Sequence, residues 1–136
     1  MMKIRPEVSK RNPYWINKNR YYELKYFCLQ YNDWRKEYSN LNGYPEHSCS
    51  VITVNNQTAG YTEDNILLRR LHLKGLMDLV AETCNEASPE LGVYIFKGVT
   101  EGRSYEYLKT KLEIPCGRDM YYDRYRKFFW LLDRKR

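Results

Sequence analysis

Arg118, Asp119 and Tyr122 fall within five consecutive positions of a segment whose apolar residues recur at helical spacing. A guanidinium fork, a carboxylate and a phenol are the groups that hydrogen-bond to planar, polar edges such as those of nucleic-acid bases. Around them, Arg103, Ser104, Lys109, Lys111, Arg126 and Lys127 supply cations and a hydroxyl suited to phosphate oxygens. No comparable grouping supports catalysis. The four cysteines, Cys28, Cys49, Cys84 and Cys116, include no short pair, and His47 and His72 lack ligand-like partners. No nucleophile with a base, carboxylate pair or phosphate-cradling glycine loop is spaced for use. The expectation is a non-enzyme without metal or cofactor.

The elements that must position these groups are two short helices around a tight turn. Ser104 can cap the first, and Tyr105, Leu108 and Leu112 form its apolar stripe. Pro115 disfavours helical geometry at Ile114 and Gly117 gives freedom to turn, so that helix should stop near Leu112. A second helix then begins at Gly117 or Arg118. Its buried stripe is Tyr121, Tyr125, Phe128 and Leu132, while Arg118, Asp119, Tyr122, Arg126 and Lys127 point elsewhere. Spacing alone also allows an ordinary structural hairpin. Charge argues for more: residues 102–136 carry ten bases against five acids, residues 1–41 nine against four, and residues 42–101 four against eight. Basicity gathered at both ends is what a polyanion rewards through counterion release. Duplex DNA is the expected partner.

Over 136 residues the chain has room for a core, 43% hydrophobic content and 14 tyrosines, most of which the periodicity assigns to that core with hydroxyls at its rim. There is no apolar run of membrane-spanning length and no apolar signal core, so a cytoplasmic protein with free thiols is expected.

Five segments follow along the chain. Residues 1–16 read as a flexible basic arm. Residues 17–42 are helical, with Leu24, Phe27, Tyr31, Trp34, Tyr38 and Leu41 in a heptad-like seam that Asn32 and Asp33 could interrupt. Residues 43–61 form a loop with VITV (Val51–Val54) as its only strand-like piece. In the helical core, residues 62–100, Thr62 caps a helix with Ile66, Leu67, Leu71, Leu76, Met77, Val80 and Cys84 on a broad apolar face. Ser88 and Pro89 start another, which fades between Gly98 and Gly102. Residues 101–136 are the helix-turn-helix. The fold class is all-α: a helical bundle with a long N-terminal helix or kinked helix pair, a core helix and a C-terminal helix-turn-helix.

The order of a tyrosine-rich first helix with LQYNDWRKEYSNL, a variable loop, a TEDNILLRR helix start and a final helix-turn-helix resembles the RinA/ArpU-type regulators of phages and prophages. The likeness runs from about Tyr21 to Leu132. It implies a late-gene transcriptional regulator ending in a module similar to region four of sigma-70 factors. Ser104–Leu112 would then be the supporting helix and Arg118–Leu132 the recognition helix, with Arg118, Asp119, Tyr121, Tyr122 and Arg124 near its DNA-facing start. At the turn, IPCGRDM departs from the Ile-Ser cap of that pattern. Two other readings compete: a packaging subunit similar to the small terminase, assembled as a homo-oligomer, and a protein-binding adaptor, for a partner such as RNA polymerase, presenting Tyr125, Phe128, Phe129 and Trp130.

Overall fold

A computed structural model describes residues 12–42 and 63–136. Most of the N-terminal arm, the 43–61 loop with its VITV piece, the Thr62 cap, His47 and Cys49 lie outside the described residues. Six helices make up the described chain: α1 (Lys18–Cys28), α2 (Tyr31–Asn42), α3 (Glu63–Ala87), α4 (Gly92–Glu101), α5 (Tyr105–Leu112) and α6 (Arg118–Lys135). They divide into two compact units, residues 31–78 and a second formed by the N-terminal residues to Gln30 with residues 79–136.

The Asn17 side chain accepts a hydrogen bond from the Asn19 amide at 2.8 Å and starts α1. The N-terminal helical segment is a pair, as the kinked alternative required, but the break falls at Leu29–Gln30 rather than at Asn32–Asp33. Leu29 and Gln30 donate back to Lys25 and Phe27 in a closing turn. Leu24 and Phe27 belong to one unit and Trp34 to the other, so the heptad-like seam is two separate core stripes.

In the unit of residues 31–78, α2 meets the early turns of α3. Arg69 donates to both oxygens of Glu37, at 2.6 and 2.8 Å, and the Arg70 guanidinium lies 4.6 Å from the centre of the Tyr38 ring. Along α3 the buried apolar positions are Ile66, Leu73, Val80, Cys84 and Ala87, with Thr83 buried beside them. That is a narrower stripe than expected: Leu73 belongs to it, whereas Leu67 and Leu71 are 53% and 56% exposed, with Leu68 beside them at 63%. A seven-residue repeat places 66, 73, 80 and 87 on one side of the helix and the three leucines opposite.

The other unit holds most of the tyrosines. α1 packs on α4 and α6, and α4 also packs on α5 and α6. Tyr21, Tyr125 and Phe129 meet edge to face at ring separations of 5.1 and 5.0 Å, and the Tyr21 and Tyr125 hydroxyls are 2.9 Å apart. Burial and that neighbouring phenol push the Tyr125 hydroxyl well above its ordinary pKa. Phe128, Phe129 and Leu132 are fully buried. The aromatic surface of the adaptor reading is therefore corrected: Phe128 and Phe129 are core residues, and Trp130 is half-buried between Tyr14 and Arg134. Arg20 ties α1 to α6 through Asp133 at 2.6 Å.

Ser88 acts as a cap, but for a turn: its Oγ accepts from the Leu91 amide at 3.1 Å and α4 starts at Gly92, three residues later than a Pro89 start. Gly102, at φ 71°, ends that helix in the left-handed conformation that glycine adopts without strain. No helix among the described residues is long and apolar enough to cross a membrane.

Candidate nucleic-acid interface

The sequence from Gly102 onward builds a two-helix module whose ends follow local chemistry. Ser104 Oγ accepts from the Tyr107 amide at 3.2 Å, which caps α5 as its type and position require. Leu112 is the last helical residue. The stop is a hydrogen bond across six residues, Ile114 N–H to the Leu108 carbonyl at 3.2 Å, with Glu113 between them at φ 53° and Ile114 tucked into the core. Glu113, not Gly117, is thus the residue that turns the chain; Gly117 has φ −79° and no side chain with which to cap α6. Tyr105 closes the turn by donating its hydroxyl to the Cys116 carbonyl at 2.7 Å.

Among the five residues expected to read bases, Tyr121 is corrected. It has no exposed surface, its hydroxyl has no hydrogen-bond partner among the described residues, and burial raises its pKa. A ring in the middle of the core cannot reach a groove. Tyr122 is half-buried and occupied: its hydroxyl accepts from the Tyr105 amide at 3.4 Å, and its ring stands edge-on to Tyr121 at 4.9 Å and Tyr125 at 5.6 Å. Arg118 pairs through Nη1 with Glu106 of α5, and its guanidinium lies 5.3 Å from the Tyr122 ring centre. It therefore stands on the side of α6 that faces α5. Asp119 is exposed on the first turn, where a carboxylate suits the helix dipole. Arg124 is half-exposed beside Asp123, at 3.3 Å.

The expected phosphate contacts are less uniform than their charges. Lys109 and Lys111 are exposed and Lys127 half-exposed, and none of the three forms an ion pair among the described residues. Arg103 is exposed, lying 4.3 Å from the Tyr107 ring centre and 3.3 Å from Glu101. Lys97 and then Arg103 hold the Glu101 carboxyl below the usual carboxylate range. Ser104 already uses its oxygen as the α5 cap. Arg126 is corrected in part: its Nε is buried with no hydrogen-bond partner among the described residues, so the base of its guanidinium is turned into the protein.

Three residues of this surface were not singled out by sequence. Met120 is 45% exposed, an unusual position for a large apolar side chain. Asp123 follows it three residues later on the face opposite Tyr121, Tyr125, Phe128 and Leu132, and that opposition is legible from the helical period. Glu106 acts across the turn, twelve residues before Arg118, which no periodicity signals. The arrangement offers a half-exposed fork, two outward carboxylates, an apolar tip and flanking lysines. Among the described residues no group of three or more histidine, cysteine or acidic side chains could hold a metal ion. No protein-family model matches this chain, and no curated protein or solved structure is significantly similar to it.

Proposed function

We propose that the chain binds duplex DNA through α5 and α6 and regulates transcription in the manner of phage late-gene regulators. The observation that supports this reading is the sorting of side chains on α6. Its aromatic and aliphatic stripe is buried, while the ten bases and five acids of residues 102–136 include Lys109, Lys111 and Lys127 on α5 and α6, which have no ion-pair partner among the described residues. A core helix gains nothing from unpaired cations, whereas each one that neutralises a phosphate releases a condensed counterion. In this reading Arg118, Asp119 and Arg124 read base edges, joined by Met120 and Asp123, and Arg103, Lys109, Lys111 and Lys127 meet phosphates.

Selection of bound fragments from random duplex DNA, repeated at two salt concentrations, tests it. Base readout gives an enriched motif that persists at the higher salt; attraction to phosphate alone gives binding without a motif that fades with salt. No binding to any duplex at low salt would remove the proposal.

A further inference from the structure

We infer that Glu106 is a positioning residue that determines which base pair Arg118 prefers; the inference rests on the DNA-binding reading above. A guanidinium is planar and carries five donors in a fixed fork, so its value in recognition depends on the orientation of that plane. Glu106 and Tyr122 both restrain it here. Glu106 Oε2, projecting from α5, holds Nη1, and the face of Tyr122 lies beneath the group with 5.3 Å between the guanidinium carbon and the ring centre. Tyr122 is itself held, because the Tyr105 amide at the start of α5 donates to its hydroxyl and Tyr121 and Tyr125 pack against its ring.

α5 thus grips both the Arg118 fork, through Glu106, and the platform under it, through Tyr105. Arginine carries large rotamer entropy, and a group held before binding does not lose that freedom on meeting a base. A carboxylate close to phosphates also repels them, so Glu106 should lower affinity for every sequence while sharpening preference at one position. Glu106 itself needs no contact with DNA.

The test uses the full chain and random duplex DNA, with wild type, Arg118→Ala, Glu106→Ala and Glu106→Gln. The wild type should favour one base pair by about tenfold at a position that Arg118→Ala flattens, in line with a bidentate arginine contact. Glu106→Ala should reduce the preference at that same position to within about threefold, leave other positions unchanged, and bind unrelated duplex more tightly. Glu106→Gln, which keeps an acceptor oxygen, should retain more of the preference than alanine does. Full preference in Glu106→Ala, or equal loss at every position, would overturn the positioning role while leaving DNA binding intact. So would an Arg118→Ala profile that matches wild type. Failure of the wild type to bind any duplex would instead overturn the functional reading and this inference with it. Thermal melting of the variants separates a merely structural Glu106, which would lower Tm and all affinities together.

Discussion

The Tyr121 hydroxyl rests against Gly98 of α4 so closely that a β-carbon at that position would fall well inside its contact distance, whereas the ring carbon bearing the hydroxyl would lie 3.6 Å away. Gly98 is buried mid-helix, where glycine is otherwise unfavourable. The packing of α4 on α6 supplies the reason for it. Gly98→Ala should therefore destabilise by about 2 kcal/mol through overpacking. Tyr121→Phe removes a buried hydroxyl with no partner, and should be neutral or stabilising by up to about 1 kcal/mol. The double variant should recover most of the alanine penalty, since a β-carbon against a phenyl carbon is ordinary contact. Urea denaturation of the four proteins gives the coupling energy, and strict additivity would show that the two sites do not meet.

Glu113 occupies the left-handed position that closes α5, the one non-glycine residue with positive φ among the described residues. Glycine adopts that conformation without strain, so Glu113→Gly should stabilise by about 0.5–1 kcal/mol. An unchanged or lowered Tm would mean that the side chain contributes something the backbone argument omits.

Glu37 lies under the Arg69 guanidinium, whose hydrogen bonds hold its carboxyl below the ordinary value of 4.5. A carboxylate with a lowered folded-state pKa contributes stability that is complete above its unfolded value and is lost as pH falls through the folded one. Protection of α2 amides should consequently weaken as pH drops below about 4.5, and Glu37→Gln should remove that dependence. Because both side chains are more than one-third exposed, at 43% and 39%, the effect should be small and reduced by salt. Hydrogen exchange across that pH range measures it. An unchanged slope in Glu37→Gln would assign the acid sensitivity to other carboxylates, Glu101 among them.

Lys109 and Met120 should separate in their effects on DNA. Lys109→Ala should weaken all duplexes alike and reduce the slope of log K against log salt by about 0.9. Met120, exposed on the third residue of α6, suits contact with a thymine methyl group. Replacing each thymine of the selected site by uracil, one at a time, should weaken wild-type binding at one position and leave Met120→Ala indifferent there. Equal sensitivity of both proteins to every replacement would exclude the methyl contact.

Much of the architecture was legible because it depends on neighbours in the chain. Ser104 capping α5, the end of α5 at Leu112, the start of α6 at Arg118 and the Tyr121, Phe128 and Leu132 stripe all follow from contacts within a few residues. Less was legible where one period fits two environments. Leu67 and Leu71 are as apolar as Leu73, yet only Leu73 is buried, because a helix with leucines on several faces does not declare which face its partner will cover. Phe129 was offered as surface for the same reason. It lies between Tyr21, Tyr125 and Phe128, and α1, which supplies Tyr21, is about a hundred residues away in the chain.

The candidate interface divides along the same line. Composition and spacing by themselves determined an all-helical chain, positive charge gathered toward its two ends, and a capped helix, a turn and an amphipathic helix at the C-terminus, since these depend on residue type and short-range geometry. Only the tertiary structure decided that Tyr122 is a platform tied to the Tyr105 amide and that Glu106 holds Arg118. Each of those assignments depends on which side chain from another helix arrives at the same place, and helical periodicity carries no information about the neighbour.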